Sequence, residues 1–136
     1  MKIVLDTNVV LSGLMAPQGT PGRIMAAWRD ARFDVVISIE QLAEIGRVLV
    51  YPKIHRKLKW TEQQIEQFLR QLYIRTEVIE LHSTAVVVPR DSKDVPILAT
   101  LIVSGADVLV SGDRDLLELR SKYPIQTPTE FVRRLK

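Results

Sequence analysis

Two stretches of this chain end an apolar run in an aspartate. Lys2 to Leu5 is followed at once by Asp6-Thr7-Asn8, and Val108 to Val110 by Ser111-Gly112-Asp113-Arg114-Asp115. A short β-branched run reads as a strand of a parallel sheet, buried on both faces. In an open α/β sheet, ligands bind in the crevice beyond the carboxyl ends of the strands. If the two strands are neighbours, Asp6 and Asp113 meet at one edge, where unpaired carboxylates repel and resist ionising together. A bound cation removes the conflict, and all-oxygen ligands suit Mg²⁺ or Mn²⁺. The competing reading is structural, because Asp and Ser are favoured helix N-caps at any strand-to-helix junction. Each junction taken singly supports capping as well as chemistry. The pair, together with the acids below, favours a metal site.

The intervening chain supplies the elements that must position these acids. Residues 9–19 pass from an apolar run into loop-like sequence. Pro21 after Thr20 marks a helix start, with Ile24, Met25, Ala27 and Trp28 on its packing face as far as Arg29. Val35 to Ser38 is a second strand, and a helix follows from Ile39 with almost no loop. Leu42, Ile45, Val48 and Leu49 give that helix its core-facing rhythm. Glu40 reads as a first-turn acid favoured by the helix dipole. Glu44 flanks the apolar stripe of a helix that starts at the same sheet edge as Asp6. Tyr51-Pro52 ends the helix. Lys53 to Trp60 is basic with interleaved apolar residues, which reads as a short amphipathic helix with a solvated basic side or as an RNA contact. Thr61 and Gln64 form a capping box for a scaffold helix to about Arg75. Glu77 to Leu81 is a weak strand and Val86 to Val88 a second extended stretch. Asp91, Ser92 and Asp94 compete to cap a helix from Val95 to Ser104, with Pro96 in its first turn and Gly105 as its C-terminal cap. Asp94, nearest the rigid helix, is the one best placed for a second role. Leu116, Leu117 and Leu119 resume helical spacing after Asp113. Tyr123 to Gln126 is a last strand, and Thr127, Pro128 and Glu130 open a closing helix.

The alternation of strands and helices with short connections predicts a three-layer α/β/α sandwich around a mostly parallel sheet, formed by one domain over residues 1–136. The chain has no cysteine, which excludes disulfides, thiolate zinc sites and thiol catalysis. His55 and His82 lie apart from each other and from any nucleophile, so both read as surface residues. No apolar run reaches membrane-spanning length, and the early carboxylate in MKIVLDTN argues against a secretory signal. A cytoplasmic protein is expected. The net charge of +3 is a mild bias toward polyanions.

At KIVLDTNVVLS, QLAEIGRVL, DSKDVPILAT and GADVLVSGDRDLL the chain resembles the PIN domain family, and specifically the VapC-like toxins of prokaryotic toxin–antitoxin pairs. The resemblance implies that Asp6, Glu44, Asp94 and Asp113 converge on Mg²⁺ or Mn²⁺. In that arrangement Asp6, Asp94 and Asp113 are ion ligands, and Glu44 completes the site or orients the attacking water. Asn8 and Ser111 match the family's small polar residues beside the first and last acids, and Asp115 matches a frequent additional acid. The implied activity is metal-dependent endonucleolytic cleavage of single-stranded or loop RNA, with a cognate antitoxin and a homodimer as expected partners.

Two other classes fit these residues less well. Phosphatases that use an aspartyl nucleophile after the first strand want a second aspartate two residues on, where this chain has Asn8. Gly13, Gly19 and Gly22 do not form the turn of a dinucleotide-binding fold. The remaining alternative is a catalytically inert RNA- or partner-binding module of the same fold.

Overall fold

In a computed structural model, the structure describes residues 1–81 and 95–135. Asp94, the capping candidates Asp91 and Ser92, His82 and the Val86 to Val88 stretch lie outside the described residues. The described strands are β1 (Lys2–Leu5), β2 (Asp34–Ser38), β3 (Glu77–Ile79), β4 (Val108–Val110) and β5 (Ile125–Gln126). They form one sheet in the order β3-β2-β1-β4-β5, with every pairing parallel. The chain runs outward from β1 through β2 to β3, then returns to the other side of β1 for β4 and β5. The order therefore reverses between β1 and β4, and a crevice opens there beyond their carboxyl ends.

Strand alternation sorts the side chains into two cores. Ile3, Leu5, Val35, Ile37, Val108 and Val110 face one layer, while Val4, Val36 and Leu109 face the other. The first layer is covered by α1 (Thr7–Met15), α2 (Thr20–Arg29), α3 (Ile39–Leu49), α5 (Glu62–Arg75) and α8 (Pro128–Arg134). The second is covered by α6 (Val95–Ser104) and the single turn α7 (Arg114–Leu117) through Leu98, Leu101 and Leu116. Burial on both faces explains why these strands read as continuous apolar runs. Among the described residues, no helix is long and apolar enough to cross a membrane.

Several local signals act as their residue types require. Thr61 with Gln64 and Thr127 with Glu130 both form complete capping boxes. The Thr127 backbone amide, helped by Arg120, pulls the Glu130 carboxyl down to about 2. Gly105 ends α6 at φ 66°, in the left-handed region that suits glycine. The basic segment folds as α4 (Pro52–Leu58), with Ile54 and Leu58 against the core and Lys53, Arg56 and Lys57 exposed.

Three expectations are refined. The apolar part of the 9–19 stretch is a helix, because α1 starts at Thr7, directly after β1, and only residues 16–19 form a loop. Val9, Val10 and Gly13 are weak helix formers, and burial of Val9, Val10, Leu11 and Gly13 overrides that preference. The helix after Asp113 is one turn only, and the last strand shrinks to two residues.

α1 and α2 approach so closely that a Cβ at Gly13 would stand 2.5 Å from Met25 Cγ, and a Cβ at Gly22 would overlap the Pro17 carbonyl in the turn that joins the two helices.

Candidate metal centre

Parallel pairing of β1 with β4 matches Leu5 with Val110, so the residues that follow each strand emerge side by side. The Asp6 amide donates to the Val110 carbonyl at 3.0 Å, extending the ladder one residue past the strand. On the other side the Ser111 amide donates to the Gln126 carbonyl at 3.0 Å. Ser111 is fully buried, and its hydroxyl joins the two acids. Its Oγ donates to Asp6 Oδ2 at 2.7 Å and accepts from the Asp113 amide at 2.9 Å.

The capping reading divides between the two junctions. Asp6 occupies the N-cap position of α1, yet its side chain makes no capping hydrogen bond. Asp113 does cap α7: its Oδ1 accepts from the Asp115 amide at 2.8 Å. Asp115 thus contributes its main chain here. Its carboxylate is not part of the cavity wall described next.

Asp6, Asp113 and Glu44 line one cavity of about 320 Å³, with Thr7, Asn8, Leu11, Val48 and Ile97. β1, β4 and α3 each deliver one acid, while α1 and the first turns of α6 supply the remaining wall. Burial pushes the Asp6 carboxyl above its ordinary value, and the charges of Asp113 and Glu44 push it the same way against the Ser111 hydrogen bond. Among the described residues lining this cavity there is no lysine or arginine to balance the acids.

One residue escaped the sequence reading. Gln41, one turn before Glu44 on α3, is buried, and its Nε2 donates to the Leu5 carbonyl at 2.6 Å. It also reaches Thr7 Oγ1 at 3.4 Å. The side chain of Gln41 therefore ties α3 to the end of β1, which fixes Glu44 relative to Asp6. The signal in the sequence was a lone amide on the core-facing stripe. Replacing Gln41 by leucine strands a buried carbonyl, at a cost of about 1–3 kcal/mol. Thermal melts should show that loss even in EDTA.

The donor set is all oxygen, negatively charged and uncompensated, which fits a hard divalent cation. Among the described residues, no three acid or histidine side chains are drawn together tightly enough to hold an ion by themselves. Two carboxylates, one held through Ser111 to the other residue's main chain, with water filling the other positions, match the way Mg²⁺ is held in open sites.

A family model described as the PIN domain matches residues 2–115, a span that includes Asp6, Glu44, Asp94 and Asp113. The chain belongs to the PIN domain family. A curated relative of this PIN domain is the uncharacterised protein MJ1680 of Methanocaldococcus jannaschii, 32% identical, with 97% of this chain and 90% of the relative covered. A solved structure, VapBC2 from Rickettsia felis bound to a DNA fragment from the promoter, superposes with a TM-score of 0.57 at 15% identity. That match covers 93% of this chain and 98% of the other, and at this identity it reports the shared PIN-like fold.

Serine-to-alanine at 111 tests the bridge between the two acids. Loss of an orienting partner of a metal ligand costs about 10–100-fold in ion affinity or activity. Mn²⁺ titration of Ser111→Ala should show a weakening in that range.

Proposed function

We propose that this PIN domain, a single unit over residues 1–136, is a Mg²⁺- or Mn²⁺-dependent endoribonuclease. The observation that carries the reading is the Ser111 bridge, which holds Asp6 and Asp113 together in a cavity shared with Glu44 and without a balancing cation among its described lining. Asp6 and Asp113 would hold the ion through their carboxylates. Asp94 is proposed as the further ligand, with Asp115 at most an outer acid. When bound, the ion supplies an activated water and neutralises charge building on the phosphate.

The chain's own groups complete the chemistry. Glu44 accepts the proton of the attacking water, or orients that water for in-line attack. Ser111 keeps the Asp6 carboxylate aligned, and the exposed Asn8 amide meets the substrate at the cavity rim. Arg47 borders a smaller cavity that shares Glu44 with the first, and α4 packs on α1 and α3 with its basic side exposed. These cations offset the repulsion a polyanion meets at an acidic site.

The VapBC2 likeness supports the toxin of a toxin–antitoxin pair as the biological role, with a protein antitoxin as partner. A homodimer and a cytoplasmic location follow from the same reading.

The test is incubation of the purified protein with single-stranded and structured RNAs in Mg²⁺, Mn²⁺ or EDTA, followed by mapping of the cut ends. Cleavage should require the ion and fall more than about 100-fold in Asp113→Asn, exceeding the loss of a mere orienting partner. Cleavage that persists in EDTA or in that variant overturns the reading. The inert-module alternative draws on the loose spacing of the described acids. It predicts that Mn²⁺ binds the native protein no more tightly than Asp113→Asn.

A further inference from the structure

A second cavity, of about 400 Å³, opens beside the acidic one and shares Asn8 and Asp113 with it. Its other walls are Val9 and Ser12 on α1, Pro21 at the start of α2, Gly112 after β4, and Pro128 at the start of α8. Asn8 and Ser12 stand one helical turn apart, so they share a face. The walls mix apolar groups, two of them proline rings, with the polar side chains of Asn8, Ser12 and Asp113, of which only Asp113 is charged. Among the described lining there is no cation for a phosphate. A flat, uncharged, hydrogen-bonding ring suits such a space, and the volume is within the range of small-molecule sites.

Gly112 supplies an independent argument. Gly13 and Gly22 are required by helix packing and Gly105 by its backbone angle. Gly112 has neither reason. It is exposed, it lies outside the left-handed region, and a Cβ built on it meets nothing within 4 Å. A side chain at this position of the cavity lining would have open space to enter.

We propose that this second cavity seats a nucleobase of the RNA, next to the phosphate cleaved in the acidic cavity. The Asn8 amide and the Ser12 hydroxyl read its edge, and Pro21 and Pro128 hold its faces. The proposal rests on the ribonuclease reading.

The experiment titrates the native protein and Gly112→Leu with uridine, cytidine, adenosine and guanosine in EDTA, following backbone amides by NMR. Cut sites of both proteins are mapped on a random RNA pool with Mn²⁺. In the native protein, one or more nucleosides should shift the amides of Val9, Ser12 and Gly112 saturably. In Gly112→Leu the remaining shifts should vanish, and the base preference beside the cut should be lost, while Mn²⁺ affinity stays within twofold. RNA cleavage with identical base preference in both proteins, and unmoved amides, overturns the pocket and leaves the nuclease standing. If no RNA is cut, the nuclease reading fails, and the nucleoside shifts still decide the cavity: their presence supports a base site and their absence removes it. Amides that move with protein concentration alone identify a contact between copies of the chain and end the proposal.

Discussion

Asp6→Asn is expected to abolish RNA cleavage and to raise the melting temperature of the same protein. Asparagine keeps an oxygen for the Ser111 hydroxyl, so the bridge to Asp113 survives. It removes one of the charges that would hold the ion, and activity should fall by more than about 100-fold. The stability change comes from the raised pKa of Asp6, caused first by burial and then by the charges of Asp113 and Glu44. A carboxyl whose folded pKa exceeds its unfolded value binds its proton more tightly in the folded state. Stability then falls as pH rises from the unfolded value through the folded one, and the whole cost is present only above the folded value. Asp6→Asn carries no such cost. Melting curves in EDTA should therefore separate as pH rises through and above the usual carboxylate range, with the variant higher, and converge in acid. Added Mn²⁺ should reverse the order, because an ion bound only by the folded native protein stabilises it by mass action. A gap independent of pH would show that burial of Asp6 carries no electrostatic cost.

Gly22→Ala should be the most damaging small change in the scaffold. The new methyl would overlap the Pro17 main-chain carbonyl, an atom that cannot swing away as a side-chain end does. Relief requires the 16–19 turn or α2 itself to move. α2 is held by Ile24, Met25 and Trp28 in the core, where overpacking costs about 1–3 kcal/mol. That amounts to about 10 °C in melting temperature at the upper end for a domain of this size. Because α2 braces α1, which begins directly after Asp6, the loss should extend to the site. Mn²⁺ affinity measured well below the melting point should weaken as well. By contrast, Gly112→Ala is expected to melt within about 0.5 kcal/mol of the native protein, as substitutions in open space do. Equal melting of the two variants would refute the close approach of α2 to the Pro17 carbonyl.

The features legible in the residues alone are those whose cause is local. Val108 to Val110 announces a buried strand because every side chain on it is apolar. Thr61 with Gln64, and Thr127 with Glu130, announce helix starts because a capping box needs only four consecutive residues. Gly105 marks an end because few other residues accept its backbone angle. The alternation of these elements was enough to read a three-layer α/β fold and to nominate acids at strand ends.

What only the tertiary structure decided depends on groups far apart in the chain. α1 forms from weak helix formers because burial against α2 and the sheet outweighs their preference. Asp6 and Asp113 looked alike as cap candidates, yet one caps and the other does not. That difference is set by the Ser111 hydroxyl, which reaches Asp6 from 105 positions away. Gln41 showed in the sequence only as a lone amide on the core-facing stripe, since its partner is the distant end of β1. Periodicity and capping are written into neighbouring residues, whereas hydrogen bonds and cavities between strands exist only once the sheet has brought their owners together.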